Sequence, residues 1–207
     1  MMKIIGLTGG SGAGKSIVCK AFKSFGIESI DTDKIARDVA KKDYKNGECL
    51  TELVKTFSSD ILKEDGELDR KKLADIAFCS KENHADLNRI THKYILNECD
   101  NIITNMQNSG IHKAVIIDAP VLFESGFDKN CDIIISVISD LEKRIERIIK
   151  RDKITAEKAE VRIKNQKSDK FLIENSNYLI YNNSDNFDYD DIFKQVEKIY
   201  NNIFRED

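Results

Sequence analysis

The residues best suited to chemistry lie near the start of the chain. The stretch GGSGAGKS, residues 9–16, follows an apolar run and precedes a segment with helical spacing. Glycines let successive backbone N–H groups turn toward one anion, and the following helix adds about half a positive charge at its N-terminus. In this GxxxxGK[ST] pattern Lys15 would reach the β- and γ-phosphates of a nucleotide, and Ser16 would offer a hydroxyl group to Mg²⁺. The stretch therefore predicts a phosphate-binding loop; the alternative is a glycine-rich turn without a ligand.

Two aspartates, Asp31 and Asp33, follow the second apolar run. In an extended segment residues two apart point the same way, so both carboxylates would face the crevice at the carboxyl edge of a sheet, beside the glycine-rich stretch. One of them could accept the proton of an attacking hydroxyl group, an effect worth about 10²–10⁴ in rate. The alternative is that Asp33 caps the helix that begins IARDVA.

A third aspartate, Asp118, ends the apolar run AVIID. The end of a buried strand is the position of a Walker-B acid, which helps to hold Mg²⁺. The alternative is a strand-end aspartate in the turn before Pro120, the single proline of the chain. We favour the first interpretation, in which Ser16 and Asp118 form the metal site.

A run of positive charge occupies residues 141–170, where eleven lysines and arginines stand against six acidic residues. Arg144, Arg147 and Arg151 recur at helical spacing on one face. The run is interpreted either as a solvated helix face or as a set of cations that close over a nucleotide and stabilise its transition state, a task for which the fork of arginine is well suited. Spacing alone leaves both interpretations open.

The elements that must position these residues alternate between strand and helix. Near-continuous Ile/Val runs are typical of strands covered on both faces of a parallel sheet. The predicted strands are residues 3–8, 27–30, 113–118, 132–138 and 178–181. The helical stretch 33–108 is several times longer than a crossover needs, so it predicts a helical subdomain, in which Asp69 is placed to cap a helix. A second helical excursion covers residues 141–175.

Composition limits the class of protein. The chain has 207 residues, of which 41% are hydrophobic and 33% charged, and a formal net charge of −3, which argues against a general nucleic-acid binder. It has no apolar stretch of the ~20 residues that span a bilayer and no signal peptide, so we expect a cytoplasmic protein without a membrane partner. The five cysteines never occur as CxxC, which argues against a zinc site or a disulfide framework.

Several motifs together resemble the dephospho-coenzyme A kinase family over nearly the whole chain. In chain order they are IIGLTGGSGAGKS, DTDKIARDV, GELDRKKLADIAF, LNRITHKYI, VIIDAPVLFESG, RIIKRD, RIKNQ and YLIYNN. The resemblance implies transfer of the γ-phosphate of ATP to the 3′-hydroxyl of the ribose of dephospho-CoA with Mg²⁺, the last step of coenzyme A synthesis. It also implies a P-loop NTPase fold of class α/β, with three α/β/α layers, a five-stranded parallel sheet, a helical acceptor-binding insert and a helical lid.

The resemblance divides the chain into a nucleotide-binding core (1–59, 111–140 and 176–207), an acceptor domain (60–110) and a lid (141–175). It implies a general base at Asp33, which with Lys15 and Arg151 forms the expected catalytic set. The expected ATP-binding residues are Gly10, Gly12, Ala13, Gly14, Lys15, Ser16, Ile17, Arg147 and Asn182. The expected acceptor-binding residues are Asp31, Arg37, Arg70, His92 and Arg162, the last also a candidate for phosphate contact.

The chain also departs from the family pattern. Ile17 stands where the family usually has threonine, so any phosphate contact there should come from the backbone. Lys93 and Val121 replace the usual proline and leucine, and the usual glycine after Asn183 is missing.

The expected partners are ATP and dephospho-CoA, and the expected state is a monomer or weak homo-oligomer.

Two other functions share part of the pattern. A P-loop kinase for another small hydroxyl acceptor, such as a nucleoside monophosphate, would have the same loop, acidic pair and arginines, but not the insert motifs. A nucleotide-dependent switch like a small GTPase would need NKxD and DxxG motifs, which we do not find.

Overall fold

The computed structural model describes residues 1–184 and 189–205. Within them a five-stranded sheet has the strands β1 (Lys3–Gly9), β2 (Glu28–Asp31), β3 (Ala114–Asp118), β4 (Ile133–Ile138) and β5 (Tyr178–Tyr181). The α-helices are α1 (Lys15–Lys23), α2 (Thr32–Val39), α3 (Glu48–Phe57), α4 (Arg70–Ala77), α5 (Lys81–Ser109), α6 (Leu141–Asp152), α7 (Ala156–Lys164), α8 (Asp169–Glu174) and α9 (Tyr189–Phe204). The ends of the predicted strands differ from these by at most one residue.

The strands lie in the order β2-β3-β1-β4-β5. Strand β1 pairs in parallel with β3 and β4, and β4 pairs in parallel with β5. Because parallel neighbours need crossover connections, α-helices run between β1 and β2, between β2 and β3, and between β4 and β5. The connection from β3 to β4 contains only a short 3-10 helix, Phe127–Asn130. The predicted α/β fold with a five-stranded parallel sheet is confirmed.

The chain forms two compact units, Met1–Ile30 with Ser109–Asp207 and Asp31–Asn108. The first contains the sheet with α1 and α6 to α9, and the second contains α2 to α5. The functional division into core, acceptor domain and lid stays a prediction. Residues 185–188 and 206–207 of the predicted core lie outside the described residues.

In the first unit, α1 and α9 cover one face of the sheet. Alternate strand residues point to this face, as the period of two requires. Each large apolar side chain that is fully buried here contributes about 1.5–3 kcal/mol to stability. The buried set comprises Ile5, Leu7, Ala114, Ile116, Ile135, Val137 and Ile180 from strands, Val18, Ala21 and Phe22 from α1, and Ile192, Val196 and Ile199 from α9.

The second unit is built from the short helices α2, α3 and α4 and the 29-residue helix α5. The predicted cap at Asp69 is confirmed, because its carboxylate accepts hydrogen bonds from the N–H groups of Lys71 and Lys72 at 3.0 and 3.1 Å. Tyr44 donates to the carboxylate of Glu98 on α5, which also pairs with Lys45.

Hydropathy gives one further result. Across residues 1–184 and 189–205, we find no helix that combines the length and the apolar character needed to cross a membrane.

Candidate active site

The phosphate-binding loop connects β1, which ends at Gly9, to α1, which begins at Lys15. Gly12 and Gly14 have φ angles of 80° and 99°, a left-handed conformation that glycine adopts without steric cost. The N–H of Ala13 donates to the carbonyl of Gly10 at 3.0 Å, and the ammonium group of Lys15 donates to the carbonyl of Gly9 at 3.1 Å. The predicted loop residues are therefore brought together at the N-terminus of a helix, where an anion is favoured.

The two predicted metal-site residues belong to adjoining elements. Ser16 is exposed in the first turn of α1, and Asp118 is the last residue of β3. The carboxylate of Asp118 accepts a hydrogen bond from the thiol of Cys19 on α1 at 3.7 Å. Burial, together with the negative charge of Asp118, raises the pKa of Cys19 to about 12, so the thiol stays protonated and donates. This contact links the strand end to the helix that carries Lys15 and Ser16.

Ile17 has a structural role in the described chain. Its side chain packs against the core under α1. Its N–H donates to the carbonyl of Gly14 at 3.1 Å, inside the first turn of the helix. The expected backbone contact to phosphate at this position thus competes with a hydrogen bond that α1 already makes.

Arg147 and Asn182, both predicted to bind ATP, lie together beside the loop. The guanidinium group of Arg147 donates to the carbonyl of Gly12 at 3.2 Å, to the carbonyl of Asn182 at 3.2 Å and to that of Ser184 at 3.1 Å. The side-chain amide of Asn182, which is buried, donates to the carbonyl of Ala13 at 2.7 Å. Both side chains therefore donate to backbone carbonyls of the loop, and so they stabilise its conformation at Gly12 and Ala13.

Two residues that the sequence did not assign hold the loop at Ser11. The amide oxygen of Gln166 accepts a hydrogen bond from the N–H of Ser11 at 2.7 Å, and the Nε of Arg144 donates to the Ser11 carbonyl at 3.0 Å. Arg144 also pairs with Asp169 at 3.0 Å. The motif RIKNQ contained the signal for Gln166, whereas Arg144 was one member of a charged stripe.

Arg151 and Arg162 lie farther along the same charged segment and pair with Asp152. Arg151 donates to both carboxylate oxygens of Asp152, at 2.7 and 3.0 Å, and Arg162 donates to one of them. The hydrogen bonds from Arg151 and then from Arg162 lower the pKa of Asp152 to about 2. The two arginines are thus brought together on the surface, each about half exposed.

The predicted general base and its neighbour are in the second unit. Helix α2 begins at Thr32, so the expected extended arrangement of Asp31 and Asp33 is wrong. The capping alternative also names the wrong residue, because the carboxylate of Asp31 accepts from the N–H of Lys34 at 2.9 Å. Asp33 is left in the first turn of α2 with an exposed side chain.

The remaining acceptor candidates also lie in the second unit. The guanidinium group of Arg70, at the start of α4, donates to the carbonyl of Arg37 at 2.8 Å, so these two residues are adjacent. His92 is half-buried in α5, and burial, with a smaller contribution from His84, lowers its pKa. His92 is therefore neutral near pH 7, with one donor and one acceptor nitrogen.

A cavity in the first unit adjoins the loop. Its lining includes Thr8 and Gly10 from the β1 side, Glu124 from the motif VLFESG, and Gln166 and Lys167 from the charged segment. The cavity therefore brings residues of the VLFESG motif and of the charged segment next to the glycine-rich loop.

Comparisons with known proteins identify the family of the chain. The family model for dephospho-CoA kinase matches residues 3–188. The chain is 42% identical over 200 residues to a dephospho-CoA kinase of Fusobacterium nucleatum, covering 97% of this chain and 98% of that one. It is 37% identical to a dephospho-CoA kinase of Aquifex aeolicus, over 99% of this chain and all of the relative. A solved dephospho-CoA kinase from Campylobacter jejuni superimposes with a TM-score of 0.70 at 27% identity, over 98% of both chains. The chain belongs to the dephospho-CoA kinase family.

Proposed function

We propose that this chain transfers the γ-phosphate of ATP to the 3′-hydroxyl group of dephospho-CoA and so forms coenzyme A and ADP, the last step of coenzyme A synthesis. The observation that carries the proposal is the glycine-rich loop that opens α1 with Lys15 in its first turn, in a chain that matches the kinase family over residues 3–188. Such a loop binds the phosphates of a nucleotide. The acceptor follows from the family.

The reaction moves one phosphoryl group and one proton. The 3′-oxygen of the acceptor attacks the γ-phosphorus of ATP, the bond from that phosphorus to the β–γ bridging oxygen breaks, and ADP leaves. The carboxylate of Asp33 takes the proton of the attacking hydroxyl group. Lys15 and Arg151 offset the charge that develops on the transferred phosphoryl oxygens, which is the principal task of a phosphotransferase.

Mg²⁺ fits the donors that the first unit offers. Among the described residues no group of three or more His, Cys, Asp or Glu side chains is placed to hold a metal alone. Mg²⁺ commonly keeps several waters and takes one or two protein oxygens together with substrate phosphates. The Ser16 hydroxyl and the Asp118 carboxylate would supply these oxygens. When bound, the ion supplies positive charge against the phosphates.

We assign the acceptor to the second unit. Asp31, Arg37, Arg70 and His92 are the proposed contacts there, with Arg162 added from the charged segment. Two adjacent arginines favour a phosphorylated ligand such as dephospho-CoA, because the arginine fork matches phosphate oxygens. A neutral His92 can contribute both a donor and an acceptor.

An acceptor screen tests the function. With ATP and Mg²⁺ fixed, the rate with dephospho-CoA is compared with the rates for adenosine, AMP and pantetheine derivatives, and ³¹P NMR locates the new phosphate. We expect dephospho-CoA to give the highest kcat/KM and a 3′-phosphate. An equal kcat/KM for AMP would instead support a nucleoside monophosphate kinase.

The role of Asp33 is tested by Asp33→Asn. If its carboxylate accepts the proton, kcat falls by about 10²-fold or more while ADP affinity stays within twofold. Asp38→Asn is the matched control, since Asp38 lies on the same helix and pairs with Lys41 at the surface. A parallel loss of ADP affinity and turnover in Asp33→Asn would contradict a base.

We also infer that the protein works in the cytoplasm as a monomer or weak homo-oligomer, with small-molecule partners and without nucleic acid or membrane. The net charge of −3 supports the lack of a nucleic-acid partner. Light scattering coupled to size-exclusion chromatography, with and without ATP, measures the mass. A stable higher oligomer would contradict this inference.

A further inference from the structure

Ser11, in the middle of the glycine-rich loop, is held on both sides of its backbone. Its N–H donates to the side chain of Gln166 at 2.7 Å, and its carbonyl accepts from Arg144 Nε at 3.0 Å. Both partners come from the charged segment 141–170, more than 130 residues away along the chain. The conformation of the loop at Ser11 is therefore set by a distant part of the sequence.

Arg144 also fills the space next to two loop glycines. A Cβ atom placed on Gly10 would lie 2.0 Å from Nη2 of Arg144, and one on Gly12 would lie 2.6 Å from the Arg144 carbonyl oxygen. Gly12 needs glycine for its positive φ, but Gly10 is not among the positive-φ residues. At Gly10, the absence of a side chain makes room for the guanidinium group.

The guanidinium group is buried and only partly satisfied. The side chain of Arg144 is 4% exposed, whereas that of its partner Asp169 is 39% exposed. Nη1 donates to Asp169, Nε donates to Ser11, and Nη2 is buried without a hydrogen-bond partner among the described residues. Burial lowers the pKa of Arg144, while Asp169 opposes that change.

This arrangement is a poor source of stability. Withdrawing a charge from water costs free energy that a single partly exposed partner does not fully return, and apolar replacements of buried ion pairs are often neutral or stabilising. What the ion pair does provide is a fixed orientation of the guanidinium group. Its planar fork donates in two set directions, from Nε to the Ser11 carbonyl and from Nη1 to the Asp169 carboxylate.

We propose that Arg144 is a positioning residue for ATP: oriented by Asp169, it holds the Ser11 carbonyl so that the following N–H groups of the loop point at the phosphates. The proposal rests on the ATP half of the proposed function and not on the identity of the acceptor. Arg144 itself need not touch the nucleotide.

The test measures ADP·Mg²⁺ affinity by calorimetry and steady-state kinetics. Arg144→Met should weaken ADP binding and raise KM for ATP by ~10-fold, the equivalent of one charge-assisted hydrogen bond, with KM for dephospho-CoA within twofold. Arg144→Lys should recover less than half of that loss on a logarithmic scale, because a point charge cannot donate in two fixed directions. Asp169→Asn should weaken ADP binding by a smaller factor. Lys150→Met is the control, because Lys150 is exposed on the same helix, and it should change neither the affinity for ADP nor KM for ATP.

The double variant Arg144→Met with Asp169→Leu separates positioning from stability. We expect it to unfold at a midpoint close to that of the unmodified protein and still to bind ADP ~10-fold more weakly. If ADP affinity is unchanged in this variant and in Arg144→Met, or if Arg144→Lys restores it fully, the proposal is wrong. If Arg144→Met does not fold, Arg144→Lys and Asp169→Asn decide by the same criteria. A wrong acceptor would appear in the acceptor screen and leave these ADP measurements intact.

Discussion

The two ends of α6 use their arginines in opposite ways. Toward the N-terminal end, Arg144 and Arg147 are turned inward and donate to backbone carbonyls of the phosphate loop and of the chain after β5. At the C-terminal end, Arg151 is 59% exposed and pairs with the neighbouring Asp152, which also holds Arg162. Arginine thus fixes the glycine-rich loop from the first part of α6 and stays at the surface at the C-terminal end of the helix.

The difference lies in the partners. A backbone carbonyl cannot move away without moving the chain, and a buried carbonyl that loses its donor costs about 1–3 kcal/mol. A surface carboxylate can rotate away, since exposed ion pairs contribute only about 0–1 kcal/mol. We infer that the inner arginines, Arg144 and Arg147, define the shape of the site. The outer arginines, Arg151 and Arg162, can exchange the Asp152 carboxylate for a phosphate at little cost in free energy.

The largest effect that tests this difference is expected for Arg151→Met. If Arg151 transfers from Asp152 to the phosphoryl group, its loss should lower kcat by about 10²-fold, as for other cations that stabilise developing charge. The melting temperature should stay within ~2 °C, because an exposed pair adds little stability. Lys158→Met, which removes an exposed charge from α7, serves as the control. A large fall in melting temperature with unchanged kcat would place Arg151 among the structural arginines.

Arg147→Met should show the reverse balance. It removes the donor from the carbonyls of Gly12, Asn182 and Ser184, so the free energy of unfolding should fall by about 2 kcal/mol. In a chain of this size that corresponds to a melting temperature lower by roughly 4–8 °C. Calorimetric unfolding of both proteins at one pH provides the measurement, and an unchanged melting temperature would contradict a structural role.

A smaller effect is expected at Gly10. Gly10→Ala places a methyl group where the Arg144 guanidinium group lies, and should weaken ADP binding by ~10-fold. Arg144→Ala removes that obstacle, so the double variant should bind ADP better than the product of the two single effects predicts. Strict additivity would mean that the two residues do not share this space.

The sequence was sufficient where the signal is local. Continuous Ile/Val runs located the strands to within one residue, and Asp69 before RKKLADIAF predicted its cap. The prediction for the segment DTD was wrong. The cap of α2 is Asp31 and not Asp33, and the helix begins inside the motif, at Thr32. A period of two and the start of a helix cannot be told apart over three residues.

The arginines show where local signals end. Helical spacing placed Arg144, Arg147 and Arg151 on one stripe, but it could not tell which part of the stripe is covered. The cover over Arg144 is the loop at Ser11, 133 residues away, and the start of α8 at Asp169, 25 residues away. Contacts between such distant segments depend on strand order in the sheet, which hydrophobic periodicity does not encode.

The smallest expected effect concerns Asp152 and acid. Its carboxyl pKa is lowered to about 2 by the two arginines, below the value of about 4 in an unfolded chain, so its stabilising contribution is complete above pH ~4 and lost as the pH falls toward 2. Asp152→Asn should therefore lower the free energy of unfolding by less than about 1 kcal/mol at pH 7, and the gap to the unmodified protein should narrow between pH 4 and pH 3. Urea unfolding at several pH values measures that gap. If it exceeds several kcal/mol, or does not change with pH, Asp152 holds the outer arginines as firmly as the loop carbonyls hold the inner ones, and the two ends of α6 do not differ.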